Sequence, residues 1–112
     1  MIGHTGDFDA SVEAIKCCDE CAYKVAMETI KQGGECIIIA DHGNIEEMFD
    51  GNGNVLTKHT TNPVPFYLVS EKYNNVKLSK GKLCNVAPTV LKLLDIEIQV
   101  GRTGVLTPRA VL

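Results

Sequence analysis

Aromatic residues and long hydrophobic runs are scarce in this sequence. It has no tryptophan, and phenylalanine, tryptophan and tyrosine together make up 5% of its 112 residues. The longest apolar run, residues 36–40, has the length of a strand, whereas a membrane-spanning helix needs about 20 apolar residues. Residues 1–7 lack the charged and then apolar pattern of a signal peptide. We therefore expect a cytoplasmic protein with no membrane partner.

An excess of basic charge is also absent. The chain has 11 lysine and arginine residues against 14 aspartate and glutamate residues, which gives a formal net charge of −3. This balance argues against the basic surface with which proteins bind nucleic acid. It does not exclude an anionic metabolite, because bound cations can supply the positive charge within a site.

Cysteine is present, but its spacing is not that of a structural metal site. There are five cysteines, an odd number, and Cys17, Cys18 and Cys21 lie close together in the sequence. A structural zinc site needs about four ligands, and no second cysteine pair follows these three. We expect reduced thiols that behave as buried or half-buried small apolar residues.

The residues that are present predict one α/β domain over residues 1–112. Apolar residues make up 45% and charged residues 22%, an ordinary balance for a folded protein. Periodicity predicts a helix over residues 8–32, with Asp7 or Asp9 as its cap and Gly33 at its end. The other predicted elements are strands over residues 35–40 and 65–69, a helical turn over 45–49, and a helix that begins at Asn85 with Pro88 in its first turn.

The predicted sheet is incomplete. Residues 35–40 are rich in β-branched side chains and show no alternation, which is typical of a parallel strand buried on both faces. Two clear strands are few beside the roughly five or six of an average sheet. We therefore expect flanking helices on a sheet whose other strands lie outside this chain.

All three histidines, His4, His42 and His59, lie in polar loops. Asp41 and His42 directly follow the first predicted strand, and ligands of open α/β sheets bind at the carboxyl ends of strands. A carboxylate beside an imidazole suits borderline cations such as Mn²⁺, Zn²⁺ or Co²⁺. The alternative is that Asp41 caps the turn at Ile45 and His42 is an ordinary surface residue. The residues alone leave both interpretations open.

Three segments carry a resemblance to a known family. Residues 3–8 (GHTGDF), 40–44 (ADHGN) and 59–66 (HTTNPVPF) are similar, in order and spacing, to signature segments of the cofactor-independent phosphoglycerate mutases. Residues 86–91 resemble the last helix of that family, so the resemblance runs from residue 1 to about residue 94. It implies the C-terminal portion of a phosphatase-like domain of the alkaline phosphatase superfamily.

The resemblance implies a two-metal centre. By matching motif positions, Asp41 and His42 would hold the cation next to a nucleophilic serine, and His4 and His59 would hold the cation that acts on the substrate. The cations are expected to be Mn²⁺, with Co²⁺ and Zn²⁺ as alternatives. The implied reaction is the glycolytic interconversion of 3-phosphoglycerate and 2-phosphoglycerate through a phosphoserine, without 2,3-bisphosphoglycerate.

The resemblance also implies parts that these residues do not include. In the family an aspartate ligand precedes the segment that begins here with Met1, and the serine nucleophile, a further aspartate and the substrate-binding insert lie far upstream. We interpret Ser11, Ser70 and Ser79 as surface residues, because none follows a buried strand in a setting that resembles a nucleophile motif. We expect this chain to be inactive alone, since it lacks the nucleophile, and to need the rest of a mutase chain as its partner.

Two alternatives remain. One is another enzyme of the same superfamily, such as a phosphatase or phosphopentomutase, although residues 60–65 (TTNPVP) argue against it. The other is a non-catalytic chain that binds a partner. An exposed sheet edge and exposed apolar surface would be expected where the rest of a mutase domain docks.

Overall fold

The computed structural model describes residues 2–97 and the backbone of residues 108–109. Its helices are α1 (Phe8–Lys31) and α2 (Val86–Leu93), and its strands are β1 (Cys36–Ile39), β2 (Phe66–Val69), β3 (Lys77–Leu78) and β4 (Pro108–Arg109). Short 3₁₀ helices cover Ile2–His4 and Leu83–Asn85. The chain forms two compact units, Met1–Ser70 and Glu71–Leu112. None of the described helices is long and apolar enough to cross a membrane.

Helix α1 begins and ends where its polar and glycine residues predict. The carboxylate of Asp7 accepts the N–H of Ala10 at 2.9 Å, which satisfies one of the free donors of the first turn. At the other end Gly33 has a φ of +76°, and its N–H donates to the carbonyl of Ile30 at 2.9 Å. A left-handed residue stops a helix in this way, and glycine adopts it without steric cost. The predicted helix and its Asp7 cap are confirmed.

The strand pair β1–β2 corrects one expectation. These strands are antiparallel, with Cys36 opposite Val69 and Ile39 opposite Phe66. Residues 36–38 are half-buried and Ile39 is 38% exposed, so β1 is not a parallel strand buried on both faces. A continuous apolar run predicts that both faces need cover, but it carries no information about the direction of the neighbouring strand. Among the described residues this sheet has two strands, which confirms the mixed helix-and-strand architecture with an incomplete sheet.

Little of the described chain is a packed core. Its buried apolar side chains are Ala26 and Met48 in the first unit and Pro88 in the second. Large apolar side chains are instead exposed in the first unit, and they are Ile2, Phe8, Ile15, Tyr23, Val25, Ile39, Phe49, Val55 and Tyr67. Exposed apolar surface on this scale marks places where further protein packs.

Two of the three serines are not surface residues, contrary to expectation. Ser11 is 1% exposed and its hydroxyl donates to the carbonyl of Asp7 at 2.7 Å. Ser70 is 8% exposed and its hydroxyl donates to the carboxylate of Glu35 at 3.0 Å. A hydroxyl can be buried when it has a hydrogen-bond partner, and the sequence pattern did not show those partners. Ser11 lies within α1, and Ser70 follows β2 but is buried with its hydroxyl bonded to Glu35, so the correction does not make either of them a nucleophile.

The cysteines of α1 are also placed differently from the prediction. Cys17, Cys18 and Cys21 are free thiols and all three are exposed, so their expected burial is wrong. The pKa of Cys17 is raised, chiefly because the neighbouring Cys21 thiol disfavours a second negative charge on the same helix face. The face that carries them has no packed neighbour among the described residues of the first unit.

In the second unit, α2 has Pro88 in its first turn, as predicted. Asn85 stands at the cap position, but its side chain accepts the N–H of Lys82 at 2.7 Å instead of an N–H of the helix. Strand β3 pairs antiparallel with β4, with Lys77 opposite Arg109.

Candidate metal centre

The four residues predicted as metal ligands come from three segments of the first unit. His4 ends the first 3₁₀ helix, Asp41 and His42 follow β1 after one intervening residue, and His59 lies in the irregular segment before β2. The structure brings the three imidazoles together. The rings of His42 and His59 are stacked with centroids 3.6 Å apart, and those of His4 and His59 are 5.1 Å apart.

The ring of His4 is oriented by the backbone. Its Nδ1 lies 2.7 Å from the carbonyl oxygen of Thr57. A carbonyl only accepts hydrogen bonds, so Nδ1 carries the proton and the neutral ring presents a lone pair at Nε2. Metal-binding histidines are commonly fixed by a partner of this kind on the other ring nitrogen.

The free nitrogen of His4 faces His59. The two Nε2 atoms are 3.3 Å apart, slightly longer than an ordinary nitrogen hydrogen bond. Two nitrogens about 2.1 Å from one tetrahedral ion would lie roughly 3.4 Å from each other, so the observed separation fits two ligands of one cation. A divalent cation would compete with the proton for these lone pairs. His4 and His59 therefore have the donor atoms and spacing of half a metal site.

Asp41 and His42 are arranged more loosely. The Asp41 carboxylate accepts the N–H of His42 at 3.1 Å, and its other oxygen is 3.7 Å from Nε2 of His42. The side chain of Asp41 is 88% exposed and that of His42 is 39% exposed. Asp41 thus bonds the N–H of its neighbour instead of capping the turn at Ile45. The Nδ1 of His42 lies 3.1 Å from the carbonyl of Gly43, which leaves Nε2 on the side of the Asp41 carboxylate.

Neither pair is a complete site. Within residues 2–97 no group of three or more histidine, cysteine, aspartate or glutamate side chains is placed to hold a metal ion. Zinc takes about four ligands and Mn²⁺ about six, so each pair needs further ligands from outside the described residues or from water. The assignment of His4, Asp41, His42 and His59 as ligands stays a prediction.

Sequence reasoning missed a carboxylate beside this centre. One oxygen of Glu46 accepts the N–H of Asn44 at 2.6 Å, and the other accepts the hydroxyl of Thr60 and the amide of Asn62, the latter at 3.2 Å. These bonds, that of Thr60 foremost, lower the pKa of Glu46 to about 2. The partners lie up to 16 residues away in the chain, and the sequence contains no signal for that pairing.

The predicted helical turn over residues 45–49 is wrong. The residues there form a turn and then an isolated bridge between Phe49 and Val55. The hairpin that follows is closed by Asp50, whose carboxylate accepts the side-chain amide of Asn54 and the N–H groups of Asn52 and Asn54. These bonds, that of the Asn54 side chain foremost, lower the pKa of Asp50.

A cavity of about 460 Å³ opens beside His42. Apolar side chains contribute much of its lining, among them Ile2, Ile15, Pro63, Val64 and Pro65. The cavity places apolar surface next to the imidazole cluster. Such surface would exclude water once it is covered.

Comparison with known proteins is consistent with this geometry. Residues 1–98 match the model of a family described as the metalloenzyme superfamily. Curated relatives named 2,3-bisphosphoglycerate-independent phosphoglycerate mutase include a protein of Hahella chejuensis and one of Psychrobacter arcticus. The Hahella protein is 43% identical over 105 residues, which cover 93% of this chain and 20% of the relative. The Psychrobacter protein is 50% identical over 105 residues, which cover 93% of this chain and 19% of the relative. The chain thus spans about a fifth of the length of these relatives.

A solved structure agrees with the sequence relatives. The chain superposes with a TM-score of 0.81 and 32% identity on Leishmania mexicana phosphoglycerate mutase, crystallised at low cobalt concentration. The superposition covers 94% of this chain and 22% of the Leishmania protein. Both comparisons therefore match this chain to a limited part of a larger protein. The chain belongs to the metalloenzyme superfamily, as a relative of part of the 2,3-bisphosphoglycerate-independent phosphoglycerate mutases.

Proposed function

We propose that this chain supplies one part of the metal-binding domain of a cofactor-independent phosphoglycerate mutase. His4 and His59 hold one divalent cation, and Asp41 and His42 contribute to a second. The observation that carries the proposal is the approach of the two Nε2 atoms to 3.3 Å, with the ring of His4 oriented by the Thr57 carbonyl. The relatives' names and the solved structure support the same reaction.

The reaction proposed is transfer of a phosphoryl group between the 3- and 2-hydroxyls of glycerate by way of a phosphoserine. When bound, two divalent cations offset the charge of the phosphoryl group and stabilise the attacking and leaving oxygens. The contribution of this chain is the ligand atoms and their orientation. Mn²⁺ is proposed first because the mutase resemblance implies it; imidazole nitrogens and a carboxylate also accept Co²⁺ and Zn²⁺, and the Leishmania structure is described at low cobalt concentration. As a glycolytic enzyme it would act in the cytoplasm.

The remainder of a mutase chain is the proposed partner. The serine nucleophile and the substrate-binding residues would lie there, so the 112 residues alone are expected to show no turnover. The exposed apolar side chains of the first unit and the cavity beside His42 support a docking role for this surface. A non-catalytic chain that binds a partner would also have exposed apolar side chains, so the experiment must distinguish such a chain from part of a mutase.

A chimeric enzyme makes that separation. The part of the Hahella chejuensis mutase that matches this chain is replaced by the chain, and conversion of 3-phosphoglycerate is measured with Mn²⁺. We expect activity in the chimera and a loss of at least about 100-fold on His59→Ala, because a cation would lose a direct ligand.

Asp50→Asn is the matched control for Asp41→Asn, since both remove one carboxylate and Asp50 lies in the hairpin. The control should keep the activity of the chimera, whereas Asp41→Asn should lower it. A folded chimera that binds Mn²⁺ but converts no 3-phosphoglycerate would contradict the mutase proposal. A chimera that hydrolyses phosphoglycerate to glycerate without transfer would favour a phosphatase.

A further inference from the structure

The carboxylate of Glu46 joins the two chain segments that carry the imidazole cluster. Its Oε2 accepts the backbone N–H of Asn44 at 2.6 Å, in the loop after β1. Its Oε1 accepts the Thr60 hydroxyl and the Asn62 amide, in the segment before β2. One exposed side chain thus bridges residues that are distant in the sequence.

The bridge fixes the register between these segments. Gly43 and Thr60 form an isolated antiparallel bridge, in which the N–H of Thr60 donates to the carbonyl of Gly43 at 2.9 Å. His42 directly precedes Gly43, and His59 directly precedes Thr60. Their rings are stacked with centroids 3.6 Å apart and an interplanar angle of 20°. The bonds of Glu46 to Asn44 and Thr60 therefore end two residues from His42 and one residue from His59, and Glu46 has no described bond to either imidazole.

We propose that Glu46 is a positioning residue that holds the loop of Asp41 and His42 against the segment of His59, so that both candidate half-sites keep their relative geometry. The geometric part depends only on the hydrogen bonds described above. Its consequence for metal affinity rests on the function proposed in the preceding subsection.

A carboxylate is required for this role because both of its oxygens accept. Glutamine would present one accepting oxygen and one donating NH₂ group. If its oxygen served Asn44, its NH₂ would face the NH₂ of Asn62, which would lose its bond to residue 46 and keep only its bond to Glu47. If its oxygen served Thr60, its NH₂ would face the N–H of Asn44. Since the pKa of Glu46 is near 2, the carboxylate is ionised and accepts at both oxygens at neutral pH.

The adjacent glutamate supplies a matched control. The carboxylate of Glu47 accepts the amide of Asn62 at 3.1 Å but has no described bond to Asn44 or Thr60; its backbone N–H donates to the carbonyl of Asn44 at 3.4 Å, which a side-chain substitution leaves in place. Glu47→Gln therefore makes the same change of charge and shape one residue away without cutting the bridge. Thr60 supplies a second pair: Thr60→Ser keeps the hydroxyl that donates to Glu46, and Thr60→Val removes it at nearly the same volume.

The test uses the 112-residue chain and two readouts. In the metal-free protein, the nuclear Overhauser effect between the ring protons of His42 and His59 reports their stacking. Titration with Co²⁺ reports the affinity of the centre. We expect Glu46→Gln to lose the ring contact and to weaken Co²⁺ binding about tenfold or more, the usual cost of removing a positioning partner. Glu47→Gln should keep the ring contact, and its Co²⁺ affinity should stay within about threefold of that of the wild type.

The outcomes separate this inference from the proposed function. If Glu46→Gln keeps both the ring contact and the Co²⁺ affinity of Glu47→Gln, the positioning role is wrong. If the wild type binds no Co²⁺ but Glu46→Gln still loses the ring contact, the positioning role stands and the metal function fails. If circular dichroism shows that Glu46→Gln is unfolded, the two Thr60 variants test the proposal instead. Loss of the ring contact in Thr60→Val with its retention in Thr60→Ser supports the positioning role of Glu46. Retention of the contact in both variants overturns it.

Discussion

The two halves of the candidate centre differ in how their side chains are held. His4 is oriented by a carbonyl that lies 53 residues away in the chain, and its Nε2 meets that of His59 at 3.3 Å. Among the described residues, the Asp41 carboxylate contacts the N–H and the ring of its neighbour His42, and its side chain is 88% exposed. A donor fixed by distant backbone loses little freedom when a cation binds, whereas a freely exposed carboxylate must be ordered at that moment. The histidine pair is therefore the preformed half of the centre.

The largest expected effect tests that difference directly. His4→Ala should weaken the strongest Co²⁺ site of the chain by about 100-fold or more, because it removes an oriented nitrogen that no other described residue replaces. Asp41→Ala should weaken it by less than about tenfold. Isothermal titration of both variants measures the two losses under one set of conditions. Equal losses would show that the exposed carboxylate is as well ordered as the histidine pair.

A second test concerns the close approach that brings the segments together. A Cβ on Gly43 would collide with the Thr60 hydroxyl and the Glu46 carboxylate, whereas a Cβ on Gly51 meets nothing within 4 Å. We expect Gly43→Ala to lower the free energy of unfolding by about 1–3 kcal/mol, the usual cost of overpacking. Gly51→Ala should leave it unchanged or slightly raised, since alanine restricts the unfolded chain. Urea denaturation measures both, and a neutral Gly43→Ala would mean that these segments separate readily.

The elements that were predictable from the sequence are those with local signals. Asp7 and Gly33 mark the ends of α1 through the preferences of helix caps, and both ends are confirmed. The clustering of His4, His42 and His59 was expected only through a family resemblance, because no local pattern relates residues 55 positions apart.

What could not be predicted depends on parts of the fold that are distant or outside this chain. The apolar run of β1 indicates cover on both faces but says nothing about strand direction, so the antiparallel pairing with β2 was missed. Cys17 and Cys21 were expected to be buried, and they are exposed because their helix face has no neighbour among the described residues. The role of Glu46 depends on partners 14 and 16 residues away, which a periodicity argument does not reach.

A smaller effect on folding stability is expected when the pH is lowered. The hydrogen bonds of Glu46 lower its pKa from 4.5 to about 2. A carboxyl group whose pKa is lower in the folded state stabilises the protein above its unfolded pKa, and this contribution is lost as the pH falls. Stability should therefore decrease between about pH 4.5 and pH 2, and Glu46→Gln should show a shallower decrease than Glu47→Gln. Thermal midpoints of the two variants over that range test this, and identical slopes would mean that Glu46 is not bonded as described.

The smallest expected effect returns to the looser half of the centre. In the metal-free protein Asp41→Asn should change the free energy of unfolding by less than about 0.5 kcal/mol, because the side chain is 88% exposed and its described bond is to the N–H of the next residue, which an amide oxygen also accepts. Urea denaturation without metal gives the change, and the same titration after addition of Co²⁺ gives the comparison. A ligand that binds only the folded state adds stability in proportion to the logarithm of its concentration. If the histidine pair dominates binding, added Co²⁺ should therefore stabilise the wild type and Asp41→Asn almost equally. A clear stabilisation of the wild type that Asp41→Asn lacks would show instead that the cation orders the carboxylate, and that the exposed half of the centre forms only when metal is present.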